Sequence, residues 1–475
     1  MARDVKAELE AALPALVERG DMARAQEVAK ALMAMPESTA GQMGAMQLSL
    51  ERGNWADYDR RTKRLARMVR EARAPVWGAS TGMLIWDDPE LLARCAKLEI
   101  MHSPAPPLPL PMDRKSKVRI AYVSADFRTH ATSILISGVF EAHDRERFEV
   151  VAVSLAPDDG SPARARIVQA VDVFIDAHDR SGQDISRLLR EARIDIAVDL
   201  MGYTAAAKPE IFANRAAPIQ MNYLGYPNTS SAPWMDYLIV DPFIATEEFR
   251  ACASEKVVVL PDCYQCNDGK RAIAEIPTRS DVGLPEGAFV FACLSRASKI
   301  NPPVFDVWMQ ILKRAEGSVL WLLEDSRESD QNLRLEAKRR RIDPARLIFA
   351  DRRPSEQHLA RLALADLNLD TFPYGSHTTG SDALWAGTPI LTRAGRSFAS
   401  RVCGSLLTTI GVPELIAKDW RQYEATALRL YSDPEALRAI RVRVAEGRKS
   451  SALFDTERFC RNLERALETM IAFRA

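Results

Sequence analysis

The chain has 475 residues, 47% of them hydrophobic, and its 64 Lys and Arg side chains balance 64 Asp and Glu side chains. That length suits two or three domains with full hydrophobic cores. Proteins that bind nucleic acid usually carry a basic excess, so a net charge of zero argues against that class. No apolar run approaches the ~20 residues that a membrane span needs. We therefore predict neither a nucleic-acid partner nor a membrane partner.

The cysteines and the amino-terminal stretch predict the compartment. Residues 1–20 carry charges throughout and show no apolar core of a signal peptide. Seven scattered cysteines, an odd number, indicate reduced thiols in a cytoplasmic protein. Cys263 and Cys266 form a lone CxxC, and no second CxxC or nearby His completes the four ligands of a structural zinc site. We interpret this pair as loop thiols, with a redox role left open.

Residues 1–101 are predicted to be entirely helical. "ERGD" at 18–21 and "ERGN" at 51–54 are 33 residues apart, and Asp87 of "WDDPE" follows after another 33. A period near 34 residues is typical of tetratricopeptide-type helix pairs. Most consensus side chains of that repeat are missing, so we predict a degenerate array, with an ordinary helical bundle as the alternative. The Pro-rich residues 102–116 are predicted to be a linker.

Short apolar runs then alternate with helical patterns, which predicts parallel sheets with helices on both faces. In the predicted first domain, residues 117–280, the strands are 118–124, 148–155, 194–200, 219–224 and 236–240. In the second, residues 281–475, they are 289–294, 318–323, 346–350, 367–372 and 389–392, followed by a final helix capped by Asp455 or Thr456. We predict an α/β protein with two facing Rossmann-like domains and a ligand in the cleft at the carboxyl ends of the strands.

The stretch "YGSHTTGSDALWAG" (374–387) places a polar loop directly before a short helix. A helix begins with unpaired N–H groups and a partial positive charge. The imidazole of His377 and the hydroxyls of Thr378 and Thr379 add donors there. We predict an anion site of the kind that holds phosphate. Simple N-capping by Thr379 or Ser381 is the alternative.

Other polar side chains follow strands of the same two sheets. Lys299 follows the first strand of the second domain and could neutralise a departing diphosphate, although a solvated surface Lys is the alternative. His130 follows the first strand of the first domain and suits proton transfer near neutral pH. His358, at a helix start, is either a cap residue or a ligand contact. Asp366 and Asp370 flank an apolar strand and form no DxD pair at its end, so we predict no metal cofactor.

Four stretches of the sequence resemble one known family. They are "RIAYVSADFRTHATS", "APIQMNYLGYPNTSSAPWMDYLIVD", "LSRASKINPPVFDVWMQILKRAEGSVLWLL" and "GSHTTGSDALWAGTPILTRAGRSFASRV". Four long motifs in the right order resemble the O-linked N-acetylglucosaminyltransferase family, glycosyltransferase family 41, from about residue 117 to the carboxyl end. The resemblance implies a GT-B fold and an inverting, metal-independent transfer from a nucleotide-diphosphate sugar to Ser or Thr of a protein, with UDP-GlcNAc as the expected donor.

The resemblance also implies how the donor would be held. The residues that would bind its diphosphate are Lys299, His377, Thr378 and Thr379. Those in the loop that would line the sugar pocket are Gly225, Pro227 and Thr229. Asp382 would hold the ribose, and His358 would stack on the base. Arg296 stands where the family has a Gln that contacts the diphosphate, which could alter donor preference.

The acceptor side carries fewer matching residues. His130 matches a cleft His near the sugar and the acceptor, and Asp195 stands where animal members have a second one. Either of these two residues, or the donor phosphate itself, would take the acceptor's proton. Ser355 stands where animal enzymes have a base-contacting Lys, and the large insert between their two domains is absent here.

Several functions therefore stay open. The same framework could use GDP-fucose, UDP-glucose or a flagellin-specific sugar. The chain could also be a GT-B enzyme that acts on a small molecule or glycan, or a scaffold with an inactive transferase domain. A helical repeat groove suits a polypeptide, so an acceptor protein bound through residues 1–101 is the expected partner. Deleting residues 1–100 is expected to leave turnover intact in a small-molecule enzyme.

Overall fold

The computed structural model describes residues 22–72, 78–101, 110–111 and 116–474, with isolated positions 5, 8, 9 and 12 before them. A helical segment comes first. Its helices are α1 (Met22–Met33), α2 (Thr39–Glu51), α3 (Tyr58–Glu71), α4 (Ala79–Ile85) and α5 (Pro89–Glu99). Among all the described helices of the chain, none is both long enough and apolar enough to cross a membrane.

In this segment α1 packs on α2, α2 on α3 and α4 on α5, as expected for tetratricopeptide-like repeats, and α3 packs on α5. At Gly41, α1 and α2 approach so closely that a Cβ would lie 2.0 Å from the carbonyl oxygen of Leu32. The "ERGN" stretch ends α2, and Gly53 turns the chain with a φ of +63°, which glycine adopts without strain. The "ERGD" stretch and most of the predicted linker lie outside the described residues.

The first α/β domain contains a seven-stranded parallel sheet in the order β3-β2-β1-β4-β5-β6-β7. Its strands are β1 (Val118–Ser124), β2 (Phe148–Ser154), β3 (Val173–Asp176), β4 (Ile196–Asp199), β5 (Ile219–Asn222), β6 (Tyr237–Val240) and β7 (Lys256–Val259). Its helices are α6 (Ala131–Ala142), α7 (Pro162–Ala170), α8 (Gly182–Glu191), α9 (Glu210–Ala213) and α10 (Glu247–Cys252). Ile120 and Tyr122 join one apolar core and Ala121 and Val123 another, so both faces of β1 are covered.

The second α/β domain contains a six-stranded parallel sheet in the order β10-β9-β8-β11-β12-β13. Its strands are β8 (Val290–Cys293), β9 (Val319–Leu323), β10 (Leu347–Ala350), β11 (Leu367–Leu369), β12 (Ile390–Arg393) and β13 (Ile416–Ala417). Its helices are α11 (Pro302–Arg314), α12 (Arg327–Arg339), α13 (Ser355–Leu362), α14 (Thr378–Trp385), α15 (Val402–Ile410), α16 (Trp420–Ser432) and α17 (Pro434–Ser450).

The two parallel sheets confirm the predicted α/β fold class. Every predicted apolar run contains a strand, and the observed strands begin or end within a few residues of the prediction. Three strands were not predicted, namely β3, β7 and β13. All three lie at the edges of their sheets, and each has side chains that are only partly buried.

The last helix, α18 (Thr456–Ala472), returns to the first domain although it follows the second in sequence. Asp455 caps it by accepting a hydrogen bond from Arg458 N, as predicted. The buried face of α18 includes Phe459, Leu463 and Leu467, which belong to the apolar core of the first domain. The predicted boundary near residue 281 therefore does not capture this helix.

Candidate active site

The loop between β11 and α14 is fixed by one buried carboxylate. Asp370, 1% exposed, accepts hydrogen bonds from Ser376 N and Thr392 Oγ1, each at 2.6 Å. Its carbonyl accepts a hydrogen bond from Tyr423 Oη at 3.0 Å. Because all these partners are buried, residues 370–377 are held in one conformation. Sequence reasoning considered Asp370 only as a rejected metal ligand and missed this role.

Helix α14 begins with an N-terminus that its own side chains leave uncapped. His377, the residue before it, makes no capping hydrogen bond, and Ser381 Oγ donates to Thr378 O at 3.0 Å. Thr379 Oγ1 is buried and has no hydrogen-bond partner among the described residues. The alternative of N-capping by Thr379 or Ser381 is therefore wrong. The N–H groups of Thr378 and Thr379 and the Thr379 hydroxyl can serve an anion.

His377 contributes to this site through its position rather than through its ring N–H. Its Nε2 donates to the carbonyl oxygen of Ala399 at 3.1 Å, and its ring stacks on Tyr374 with centroids 4.8 Å apart. Burial and the charge of Lys299 lower the pKa of His377 to about 3. The imidazole is therefore neutral and its only proton is used by Ala399. The expectation that this imidazole donates to an anion is corrected: the ring supports the loop.

Lys299 lies against the same loop, as the sequence predicted. It ends the short 3-10 turn that follows β8, and its Nζ donates to Gly375 O at 2.9 Å. The ammonium also lies 4.2 Å from the centroid of the Tyr374 ring. Burial lowers the pKa of Lys299 to about 8, against the opposing effect of Asp370. A half-buried cation thus faces the uncapped start of α14, and the alternative of a solvated surface Lys is wrong.

The side of the site that would hold a nucleoside is closed by an ion pair. Asp382 Oδ1 accepts from Arg271 Nη1 at 2.6 Å, and the two side chains are 10% and 8% exposed. Arg271 Nη2 also donates to Ser355 Oγ at 3.3 Å. His358 lies near Asp382, and its Nδ1 accepts from Arg361 at 3.1 Å. The structure thus brings Asp382, His358 and Ser355 together.

Arg271 is the residue of this group that sequence reasoning missed. It lies between the two sheets, in a segment that forms no helix or strand, where no pattern marks a functional side chain. Its backbone carbonyl accepts from Trp385 Nε1 at 3.3 Å, which ties the segment to the end of α14. A guanidinium therefore stands beside Ser355, where the resemblance leads one to expect a lysine.

His130 lies on the first-domain side of the cleft. It is the N-cap of α6, and its Nδ1 accepts from Thr132 N at 3.2 Å while Asp126 Oδ2 lies 3.3 Å from the same nitrogen. Burial lowers the pKa of His130, Asp126 opposes the shift, and the charges of Arg128 and Arg296 add to it. Arg296 belongs to the second domain, so a charge from the other side of the cleft contributes to this shift.

Asp195 is not brought to this cleft. It lies just before β4, and its Oδ2 accepts from Arg119 N at 2.8 Å. That bond ties the amino ends of β1 and β4, whereas the loop to His130 leaves the carboxyl end of β1. In a parallel sheet these ends lie on opposite edges. The expected role of Asp195 as a second cleft residue is therefore corrected: it joins two strands.

The loop 224–232 is held by Glu255, which is 5% exposed. This carboxylate accepts from Thr229 Oγ1 and Ser230 Oγ, both at 2.5 Å, and from Ser230 N at 2.8 Å. The hydroxyl of Thr229, expected in the sugar pocket, is therefore directed into the protein. A Cβ at Gly225 would lie 1.8 Å from Leu200 O, so this glycine is required by a close backbone contact. Pro227 is buried in the same loop.

The CxxC pair lies in a buried loop between the two sheets. All seven cysteines are free thiols. Cys263 and Cys266 are buried, Cys263 Sγ lies 3.4 Å from Ser405 Oγ, and burial raises the pKa of Cys266 to about 12. A thiol with so high a pKa is a poor nucleophile and a poor metal ligand. This environment supports the interpretation of the pair as unreactive loop thiols.

One buried set of side chains in the described part of the chain has the spacing of metal ligands. The ligand atoms of His143, Cys460 and Glu464 lie within 4.8 Å of one another. His143 Nδ1 lies 3.0 Å from Glu464 Oε1, and its Nε2 lies 2.8 Å from Tyr122 Oη. The set joins α6 and α18 outside the cleft, and its members hydrogen-bond one another. We therefore assign it to the anchoring of α18.

Comparisons with known proteins agree with this geometry. A model of glycosyl transferase family 41 matches residues 53–276 and 270–463. An Arabidopsis thaliana protein named probable UDP-N-acetylglucosamine–peptide N-acetylglucosaminyltransferase SEC is 38% identical over 370 residues, which are 76% of this chain and 38% of that protein. A Caenorhabditis elegans UDP-N-acetylglucosamine–peptide N-acetylglucosaminyltransferase is 27% identical, over 88% of this chain and 48% of its own length. The chain thus spans less than half the length of these two relatives.

A solved structure extends the comparison to the fold. A mutant of the Thermobaculum terrenum O-GlcNAc transferase superposes with a TM-score of 0.77 and 26% identity, over 94% of this chain and 86% of that one. Two facing Rossmann-like domains define a GT-B glycosyltransferase fold. The family model covers most of the described chain, so the protein belongs to glycosyl transferase family 41.

Proposed function

We propose that the chain is a protein O-glycosyltransferase that transfers a sugar, GlcNAc from UDP-GlcNAc, to Ser or Thr of polypeptides. The observation that carries the proposal is that Lys299 lies against the loop that leads into the uncapped first turn of α14. Its Nζ donates to Gly375 O of that loop at 2.9 Å. An ammonium and a helix N-terminus on one loop suit a diphosphate. Both relatives and the solved neighbour are named for N-acetylglucosaminyl or O-GlcNAc transfer.

The leaving group is the part of the reaction that these residues serve. The acceptor hydroxyl attacks the anomeric carbon from the face opposite the diphosphate, and the bond from that carbon to the diphosphate oxygen breaks, with inversion. Negative charge grows on the leaving oxygen. Lys299 and the N–H groups of Thr378 and Thr379 would stabilise that charge, so that no metal ion is required. Stabilisation of this kind acts in the transition state more than in the bound donor.

The proton of the acceptor hydroxyl goes, in this proposal, to an oxygen of the donor diphosphate. In this proposal His130 Nδ1 keeps its hydrogen bond from Thr132 N, and the neutral ring carries its proton on Nε2. A ring in that form presents a donor to the cleft rather than a base. His130 would therefore orient the sugar or the acceptor.

A polypeptide acceptor would enter beside the helical segment. Trp55 packs edge-on against Phe305 of the second domain at 5.1 Å, and Ser231 Oγ donates to Ala93 O at 3.0 Å. The helices thus contact both domains next to the cleft, in keeping with a repeat surface that presents a peptide. Because of these contacts, deleting residues 1–100 would damage the transferase domains as well. That deletion cannot separate a protein acceptor from a small-molecule one.

The experiment uses the whole chain and labelled donors. Purified protein is incubated in a cell lysate with UDP-GlcNAc, GDP-fucose, UDP-glucose or the nucleotide-activated sugar of a flagellin, and modified peptides are mapped by mass spectrometry. Transfer from UDP-GlcNAc to Ser or Thr, unchanged in EDTA, is the expected result. Transfer from another donor would change the proposed sugar. Labelled small molecules without labelled protein would contradict the proposed acceptor class. Loss of activity in EDTA would contradict the metal-free mechanism.

The cytoplasmic location stays a proposal. It rests on seven free cysteines, most of them buried, and on substrates of the kind that occur inside cells. Fractionation of cells that express the protein tests it, with recovery in the cytosolic fraction as the expected result.

A further inference from the structure

The connection between β12 and α15, residues 394–401, is held by one carboxylate from the helical segment. Asp87 lies in the turn between α4 and α5. Its Oδ1 accepts from Ser400 Oγ at 2.6 Å, from Ser397 N at 2.9 Å and from Arg396 N at 3.0 Å. Hydrogen bonds to a charged acceptor are about twice as strong as neutral ones, so three on one carboxylate fix this connection firmly.

The atoms around the Asp87 carboxylate are closely packed. A Cβ at Gly395 would lie 2.4 Å from both Asp87 Oδ2 and Ser400 Oγ. The neighbouring Asp88 does something different: it caps α5 through Leu91 N at 3.1 Å. Two adjacent carboxylates of the "WDDPE" stretch thus have separate tasks, and only Asp87 reaches the second domain.

The connection that Asp87 holds also carries the partner of the diphosphate loop. The carbonyl oxygen of Ala399 accepts from His377 Nε2 at 3.1 Å and from Gly375 N at 3.3 Å. Gly375 O in turn accepts from Lys299 Nζ at 2.9 Å. One hydrogen-bonded path therefore runs from Asp87 through residues 396–400 to the backbone on which Lys299 rests.

The same connection touches the first domain. Arg401 Nε donates to Phe243 O at 2.8 Å, and Arg396 pairs with Glu248. Helical segment, first domain and second domain all meet at residues 394–401. The helical segment therefore reaches the site through this connection, and it also packs on the turn Ala297–Lys299 through α2.

We propose that Asp87 is a positioning residue of the diphosphate site. It holds residues 394–401 so that Ala399 fixes the His377 ring and the Gly375 backbone where a diphosphate needs them. The inference rests on the proposed function, since it assumes that a diphosphate binds there. The helical segment then contributes to donor binding through Asp87. Because such coupling is reciprocal, a ligand that strengthens the contact of the helical segment with residues 394–401 should also raise the affinity for the diphosphate, and the reverse.

The test compares variants by calorimetry with UDP and by ligand-observed NMR with uridine. Asp87→Asn keeps the size but exchanges one acceptor oxygen for a donor, and we expect UDP affinity to fall about tenfold, as one charged hydrogen bond is worth. Ser400→Ala removes one of the three bonds, and we expect a loss of about threefold. Asp88→Asn is the matched control, because Asn caps a helix as well as Asp does; its UDP affinity should equal that of the unchanged protein.

Uridine distinguishes positioning from general damage, because it lacks the diphosphate and would use only the Asp382 and His358 side. We expect its binding to be the same in all four proteins, with the melting temperature of Asp88→Asn unchanged. Equal losses of UDP and uridine binding would overturn the inference, as would UDP affinity unchanged in Asp87→Asn and Ser400→Ala. Failure of the unchanged protein to bind UDP or GDP would instead reject the proposed function, and the inference with it.

Discussion

The two sides of the cleft in the second domain are built from opposite kinds of contact. The side proposed to hold the diphosphate rests on buried hydrogen bonds, among them the two that Asp370 accepts, each 2.6 Å long. The side toward the helical segment is a cavity of about 470 Å³ whose lining includes Arg52, Arg296 and Arg352. One of its ion pairs is fully exposed: Arg52 and Glu328 are 3.5 Å apart, and their side chains are 57% and 58% exposed.

This difference indicates that the side with buried hydrogen bonds is preorganised, whereas the side with exposed charges can adapt its conformation. Buried hydrogen bonds hold one geometry, because breaking any of them leaves a desolvated polar group. Exposed ion pairs contribute roughly 0–1 kcal/mol each and rearrange at little cost. A fixed donor side suits one cofactor-like diphosphate, whereas a charged and adaptable side suits polypeptides of varied sequence. Each of the following changes breaks or sharpens that contrast, starting with the largest effect.

Lys299→Ala is expected to lower the rate of transfer about 10³-fold, as loss of a preorganised group at a developing charge does. The fold should persist, because the variant leaves the apolar cores untouched. Rate and melting temperature are both measured. Lys313→Ala, an exposed lysine at the end of α11, is the control and should keep full activity. A rate near that of the unchanged protein would contradict the role of the ammonium.

Arg271→Met is expected to reduce the free energy of unfolding by about 3 kcal/mol, because it leaves Asp382 buried without its partner. The double change Arg271→Met with Asp382→Asn should recover part of that loss, since no uncompensated charge remains. Urea denaturation measures both. Arg187→Met is the matched control: its pair with Asp184 is exposed, so a loss under about 0.5 kcal/mol is expected. Equal losses in the two single variants would show that the Arg271 pair is not buried in solution.

The pH dependence of donor capture should follow Lys299. Burial lowers its pKa to about 8, and the charged form is the active one, so kcat/KM for the donor should fall as pH rises through about 8. The limiting slope is about tenfold per pH unit. The bound diphosphate favours the ammonium, so kcat should decline only at higher pH.

Lys299→Arg supplies the control for this profile. A guanidinium stays charged throughout the range, so the decline in kcat/KM should disappear in the variant, whatever its absolute rate. A profile that falls at the same pH in both proteins would assign the titration to another group.

The sequence predicted the placement of Lys299 beside the loop before α14 better than the rest of the site, and the reason is local. Lys299 and the start of α14 follow strands directly, so the order of strand, loop and helix alone places them at one edge of the sheet. Arg271 and Glu255 were missed because they reach their partners from segments distant in sequence. Asp87 was noted only as part of a repeat, since its contact with residues 396–400 joins positions more than 300 residues apart.

Asp195 shows a second limit of prediction from sequence. A shift of a few positions along β4 moves a residue from one edge of the sheet to the other, and this reverses the expected role. Side chains at the two ends of a four-residue strand such as β4 differ by a few positions in sequence yet lie on opposite edges of the sheet. The family resemblance matched the position of Asp195 to a cleft histidine, but alignment of a residue does not fix which end of the strand it occupies. The acid at the carboxyl end of β4 is Asp199, whose Oδ1 accepts from Met201 N at 2.8 Å.

Asp195→Asn is therefore expected to have the smallest effect, less than about twofold on kcat, because an amide oxygen can still accept from Arg119 N as a neutral bond. His130→Asn is its counterpart at the carboxyl end of β1. Asn keeps the cap of α6 but loses the ring, and a loss of up to about tenfold is expected for one hydrogen bond to the sugar or the acceptor. Removal of a general base would lower the rate about 10²- to 10⁴-fold. A loss of that size in Asp195→Asn would show that Asp195 is the general base. The amino ends of β1 and β4 would then have to lie at the cleft, which contradicts the arrangement described above.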